Sequence, residues 1–337
     1  MRFPFYVKGR RAALFCATEW LTKGKRNVRV VFFGTPELAV PSLAALCGHH
    51  DVKAVVCQPD RPRGRSKKLV PPPTKVYAQT RGVSVVQPTT LNDGAFEAWL
   101  KEQAPEVCVL VAYGRILKQR LLDVPDHGFL NMHPSLLPRH RGPSPIQTAI
   151  LEGDTKTGAT IIRLDAGIDS GDILLQKELL IRPEDTTAIL SQSLALLGGA
   201  TLLRALSLID SGKAMFVPQE HAKATVTRFF TKQDGWIRWN QPARAIHNLA
   251  RAATPWPTAQ CLFNGQAHRV HKTEVAEGTA GGAPGTVGGV ETDRVLVSTG
   301  DGVLAILEFQ APGGRHMAMA DFLRGHPIHV GDTFGEL

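Results

Sequence analysis

The sequence has no run of eighteen apolar residues, so no segment reads as a membrane-spanning helix. It has no Cys-x-x-Cys pair. The cysteines at 16, 47, 57, 108 and 261 are scattered, which argues against a disulfide framework or a thiolate metal site and predicts reduced, buried thiols of cytosolic type. It lacks Gly-x-Gly-x-x-Gly: Gly34-Thr35-Pro36 follows a strand-like run, but one glycine and an amide-less proline make a poor phosphate cradle and set NAD(P) aside. His268/His271 and His326/His329 have spacings a metal could use, but neither pair has a third ligand nearby, and no metal is expected. Acids are scarce in residues 1–27, which hold seven Lys/Arg and only Glu19. Six of the nine net positive charges therefore lie there, and global basicity says little about nucleic acid. This extension reads as a disordered tail, an early start or a transit segment, without the serines usual in the last.

What is present is a regular alternation. The apolar, β-branched run Val28 to Phe33 precedes a helix-like stretch from Glu37 to Leu46. Strands follow over Val52–Cys57, Val83–Val86 and Val107–Val111, with helices near Lys75–Gln79 and Ala95–Gln103 between them. Strands apolar on both faces and alternating with helices predict an α/β fold with a parallel, doubly wound sheet. Gly158–Leu164 and Ile173–Ile181 read as further strands, and Asp185 to Ile209 as an amphipathic helix with core leucines at 190, 194, 197, 202, 203 and 206. Residues 213–230 read as a polar linker. Beyond it, a short strand over Asp234–Trp239 and a helix over Pro242–Ala252 lead to five short strands between glycine-rich turns, which suggest a second, smaller β barrel. The division expected is a basic extension at 1–27, a catalytic domain at 28–212, a linker at 213–230 and a carboxyl-terminal domain at 231–337.

Two stretches carry chemistry. Phe129 to Met132 reads as the end of a buried strand, and Pro134 and Pro138 then pull the chain away from regular structure. Asn131 and His133, two residues apart on an extended chain, share one side at the carboxyl edge of the sheet, where ligands bind in such folds. An amide and an imidazole there can supply an oxyanion donor and a proton shuttle. The loop Asp165 to Asp172 holds three carboxylates, and one of them could reach the imidazole; spacing does not choose among Asp165, Asp169 and Asp172. The second stretch is basic. Six of the residues 61–75 (Arg61, Arg63, Arg65, Lys67, Lys68, Lys75) carry positive charge, and none is acidic. Prolines and a glycine make it read as an irregular loop on the same edge, able to grip phosphates.

These residues resemble the methionyl-tRNA formyltransferase family. The carrying stretches are FFGTPELAVPSL, QPDRPRGRSKKL, VAYGRIL, NMHPSLLPRHRGPSPIQ, LDAGIDSGDIL and RAATPWPTA, in the family's order across about residues 28–337. The resemblance implies a Rossmann-like formyltransferase domain and an OB-like barrel that helps hold tRNA. It implies formyl transfer from 10-formyltetrahydrofolate to the α-amino group of methionyl-initiator tRNA, with Asn131, His133 and Asp169 as the catalytic trio. Asp169 would then fix the tautomer of His133. Ser135, Leu136, Leu137 and Pro138, with Val111, Tyr113 and Gly114, would contact the folate. Arg61, Arg63, Arg65, Lys67 and Lys68 would contact tRNA, Arg65 foremost. Pro134 and His140 depart from the common pattern.

Two other readings use the same residues: a formyltransferase acting on an amino sugar or ribonucleotide, which does not require the basic loop or the barrel, and a tRNA-binding module without catalysis, which does not require the trio. The reading favoured is a monomeric, non-membrane enzyme of bacterial, cytoplasmic type, or of an organelle if residues 1–27 are a transit segment.

Overall fold

The computed structural model describes residues 27–63, 68–278 and 281–337. The basic extension up to residue 26 lies outside them. Contacts divide the chain into two compact units. One comprises the described residues up to Arg141 with Gly158–Leu179 and Gln192–Ala224, and the other the described residues of Gly142–Thr157, Leu180–Ser191 and Thr225–Leu337.

The first unit opens with β1 (Arg29–Gly34), α1 (Val40–His49) and β2 (Asp51–Val56). A short ribbon, β3 (Arg61–Arg63) and β4 (Lys68–Val70), precedes α2 (Pro73–Thr80), β5 (Ser84–Val86), α3 (Gly94–Glu102), β6 (Val107–Val111), α4 (Gln119–Leu122) and β7 (Phe129–His133). After α5 (Pro145–Leu151), which belongs to the second unit, come β8 (Lys156–Arg163), β9 (Ile173–Leu180) and α6 (Thr187–Asp210). The sheet order is β5, β2, β1, β6, β7, β8, β9. The pairings from β5 to β7 are parallel, as the apolar runs predict. β8 is antiparallel to β7, with His133 opposite Thr160. The expected all-parallel sheet is therefore mixed at one edge. The reason lies in α5, which belongs to the second unit and packs there on the helix Ala243–Ala252 instead of crossing back over the sheet, so the chain returns from the edge where it left.

The period of two decides what faces what. Val30, Phe32, Val109, Leu130 and Met132 share one apolar core with Leu202 and Leu206 of α6. Val31, Phe33, Cys108 and Phe129 share the other, with Phe96 and Leu100 of α3. Asn131 and His133 follow Phe129 in steps of two. They therefore leave the sheet on the α3 side. Helix α6 is the one element among the described residues long and apolar enough to cross a membrane, but more than half of its apolar window is buried inside the protein. Gly34 closes β1 because space requires it: a Cβ there would lie 2.9 Å from the Val111 carbonyl oxygen. The four described cysteines carry no disulfide, and burial pushes the Cys57 thiol up to about 11.

In the second unit, Asp234–Trp239 is not the expected strand. Gln233–Gly235 forms a 3₁₀ turn, and Trp236 makes a single bridge to Gln260. Then follow α7 (Ala243–Ala252), β10 (Ala259–Phe263), β11 (Gln266–Ala276), β12 (Val287–Val290), β13 (Val295–Ser298), β14 (Val303–Gln310), β15 (Met317–Ala318), α8 (Met319–Gly325) and β16 (Phe334–Gly335). The sheet runs β12, β13, β14, β11, β10, β16. β16 pairs with β10, and Thr333 bridges Thr286 just before β12, so the antiparallel sheet curls into a half-barrel of OB-like form. Among the histidines with spaced pairs, His268 stacks on Phe309, His326 on Phe322, and His271 bonds Gln310.

Candidate active site

All five residues of β7 are buried. The chain then curls through 134–141, and side chains from neighbouring strands pin it. Thr160 on β8 donates to the Ser135 carbonyl (2.6 Å) and accepts from Leu137 N (3.3 Å). Gln176 on β9 donates to the Leu137 carbonyl (2.9 Å) and to the Thr160 hydroxyl (2.9 Å). The Leu137–Pro138 bond is cis. Ser135 is fully buried, and its hydroxyl donates to the Arg139 carbonyl at 2.7 Å, so it braces the curl. Leu137 is buried, and Leu136 and Pro138 are half-buried. Close packing beneath this segment predicts a stability effect. A Cβ on Gly158 would lie 2.2 Å from the Lys177 carbonyl oxygen and 2.5 Å from a methyl of Leu136. We expect Gly158→Ala to cost about 1–3 kcal/mol in urea unfolding, whereas Gly48→Ala, whose Cβ would meet nothing within 4 Å, should not.

The structure brings the three expected catalytic residues together. Asn131 Nδ2 donates to Asp169 Oδ1 at 3.1 Å, and His133 Nδ1 lies 3.4 Å from Asp169 Oδ2. Asn131 and His133 are 5% and 4% exposed, which places the contacts under little solvent screening. Asp165 instead braces its own loop, accepting from Gly167 N and the Ser170 hydroxyl. Asp169 holds φ +48°, a left-handed backbone that aspartate tolerates better than most residues.

His133 Nε2 lies 2.8 Å from the backbone carbonyl of His140. A carbonyl and a carboxylate both only accept, so each ring nitrogen of His133 faces an acceptor, and the Nε2 contact is the one at ordinary hydrogen-bond distance. Asp169 stands beside Nδ1, and the His140 carbonyl steadies the ring from the Nε2 side. His140 also holds a left-handed φ of +60°, within the curl that presents its carbonyl to the ring.

In the 111–114 turn, Val111 and Tyr113 point into the core, and burial pushes the Tyr113 phenol up to about 12. The exposed groups of the turn belong to Ala112 and Gly114. Gln58 ties it down, donating to the Tyr113 carbonyl (3.1 Å) and accepting from Arg115 (3.2 Å). The basic loop differs from its expected irregular form: β3 and β4 pair as an antiparallel ribbon, Arg61 opposite Val70 and Arg63 opposite Lys68. Arg61 and Lys68 are exposed. Arg65 and Lys67 lie outside the described residues, as does the side chain of Arg63. Lys75 is bound to both carboxylate oxygens of Asp60 and to Gln87, so it anchors the base of the ribbon. Sequence reasoning missed Thr160 and Gln176 as supports because neither lies in a motif, and it missed the supporting roles of Gln58, whose partner Tyr113 is 55 residues away, and of His140, which acts through its backbone carbonyl.

Residues 27–206 match the Formyl transferase family and residues 230–327 match the Formyl transferase, C-terminal domain family. A methionyl-tRNA formyltransferase of Myxococcus xanthus is 44% identical over 90% of this chain and 96% of its own length. The chain belongs to the methionyl-tRNA formyltransferase family. A second member, from Pelotomaculum thermopropionicum, is 42% identical over 92% of this chain and 99% of its own length. Membership makes the chain a formyl-transferring enzyme. Solved structures share its fold at lower identity. HypX from Aquifex aeolicus aligns with a TM-score of 0.62 at 17% identity, over 91% of this chain and 49% of HypX, so the chain spans about half of that protein. An N-formyltransferase from Helicobacter canadensis, crystallised with folinic acid and dTDP-3-aminofucose, aligns with a TM-score of 0.62 at 21% identity, over 83% of this chain and 98% of its own.

Proposed function

We propose that the chain transfers the formyl group of 10-formyltetrahydrofolate to the α-amino group of methionyl-initiator tRNA. The observation that carries the chemistry is the closed contact of Asn131 and His133 with Asp169 at the carboxyl end of β7. The likeness to methionyl-tRNA formyltransferases over nine-tenths of the chain supports the acceptor.

The attacking amine must be neutral, and the tetrahedral intermediate carries an oxyanion. The Asn131 amide has two hydrogens. One is held by Asp169, and the other is the donor to the formyl oxygen. His133 takes the amine proton on Nδ1, next to the Asp169 carboxylate, and returns a proton to N10 of the leaving folate. Leu136 and Pro138, half-buried, pack on the folate rings, while the Ala112–Gly114 backbone meets its polar edge. Ser135, Leu137, Val111 and Tyr113 shape that wall from beneath. No metal takes part in this reading. The enzyme acts as a monomer in the cytoplasm, and the barrel provides further tRNA contact.

The β3–β4 ribbon, with Arg61, Arg63, Arg65, Lys67 and Lys68, grips tRNA phosphates. Each lost phosphate contact should lower the slope of log K against log salt by about 0.7–0.9. We expect Lys68→Ala to weaken tRNA binding and flatten that slope by about one contact in filter-binding titrations, with folate affinity kept. The function itself is tested by offering methionyl-tRNA and a nucleotide-linked amino sugar side by side with 10-formyltetrahydrofolate. Formyl-methionyl-tRNA is the expected product; product on the sugar alone would sink the reading.

A further inference from the structure

Gln219 lies in the polar segment between α6 and α7, far from every motif, yet it is 5% exposed. Its Nε2 donates to the backbone carbonyl of Asp169 itself (2.9 Å) and to that of Gly171 (2.7 Å). Its Oε1 accepts two bonds from Arg141, at 3.1 Å from Nε and 2.7 Å from Nη2. The Arg141 Nη2 also bonds His221 Nδ1 at 3.1 Å. Arg141 immediately follows His140, whose carbonyl holds the His133 ring. These contacts form a ring. It runs from His133 to the His140 carbonyl, along the chain to Arg141, across to Gln219, and through the Asp169 backbone to a carboxylate that faces His133 again.

We propose that Gln219 is a positioning residue for catalysis: its amide fixes the Asp169 carboxylate against Asn131 and His133. The inference rests on the formyl-transfer reading above. The bonding pattern supports positioning over simple filling of space. A buried amide has two donor hydrogens and one acceptor oxygen, and here both kinds of group are used. The donors hold the left-handed backbone at Asp169, and the acceptor holds the residue next to His140. Small displacements of a reacting group cost much rate, of the order of a hundredfold for about 1 Å.

Gln219→Glu separates the two halves. It keeps an acceptor for Arg141 but has no N–H for the Asp169 and Gly171 carbonyls. We expect kcat for formyl-methionyl-tRNA synthesis to fall by about ten- to a hundredfold, with both KM values within about twofold. On an Asp169→Ala background, in single-turnover assays, the same substitution should cost less than about twofold, because its effect passes through Asp169. Equal losses on both backgrounds, or an unchanged kcat on the native one, would overturn the assignment. Should Gln219→Glu melt below the assay temperature, Gln219→Met takes its place with the same expectation. Melting of both variants would make Gln219 a plain structural residue and overturn the proposal. A substrate-free readout separates this inference from the reading beneath it. The imidazole ring signals of His133 at fixed pH, followed by NMR, should move in Gln219→Met, which adds no charge, and unmoved signals overturn the positioning role. If the native chain fails to formylate methionyl-tRNA, the formyl-transfer reading falls, and the imidazole signals alone decide the role of Gln219.

Discussion

Asp169→Asn is expected to lower kcat for formyl transfer by about 10³–10⁴-fold, the scale seen when a carboxylate beside a catalytic imidazole becomes an amide. The substitution suits the site because asparagine also tolerates the left-handed backbone at 169, so the loop keeps its path. The amide has only one acceptor oxygen for two partners. If that oxygen faces Asn131, its NH₂ donates to His133 Nδ1 and occupies the lone pair that must take the amine proton. If it faces His133, two NH₂ groups confront each other at Asn131. Either arrangement disables the pair. Folate and tRNA KM values should move by no more than a few-fold, since the carboxylate meets the reacting centre and not the bulk of either substrate. Steady-state kinetics at saturating folate checks this, with thermal melting to confirm the fold. A kcat within tenfold of the native value would remove Asp169 from the mechanism.

Asn131→Ala should cost on the order of a hundred- to a thousandfold in kcat, equivalent to roughly 3–4 kcal/mol of barrier for one lost oxyanion donor. The site also loses the hydrogen bond that holds Asp169 from below, so the effect should not add to that of Asp169→Asn in the double variant. Folate affinity, measured by fluorescence titration, should stay near native, because the pinned 135–138 curl depends on Thr160 and Gln176 and not on Asn131. Full turnover in Asn131→Ala would mean that another group receives the oxyanion.

Much of this site was legible in the chain because it follows from periodicity. The runs through Val30–Phe33, Val107–Val111 and Phe129–Met132 alternate between two apolar cores, and that register places Asn131 and His133 on one side. The loop at 165–172 was legible as acidic, but only the resemblance singled out Asp169, since three carboxylates there share the same composition. The supports were not legible. His140 acts through a carbonyl, which every residue has. Gln219 reaches Asp169 across fifty residues from a stretch whose polarity reads as linker. The antiparallel β8 was missed because strand composition does not encode direction, and α8 was missed because Met319–Gly325 is only two turns long. The ribbon escaped because proline and charge mask two three-residue strands.

The central claim is that Asn131, His133 and Asp169 move a formyl group onto the amino group of methionine carried by tRNA. Its most direct test is a single-turnover reaction of the native chain with 10-formyltetrahydrofolate labelled in the formyl carbon and methionyl-initiator tRNA. The reaction is quenched, the ester to the tRNA is hydrolysed, and the products are separated. The account predicts the label on N-formylmethionine. Label remaining on folate, or released as free formate while methionine stays unmodified, would contradict it.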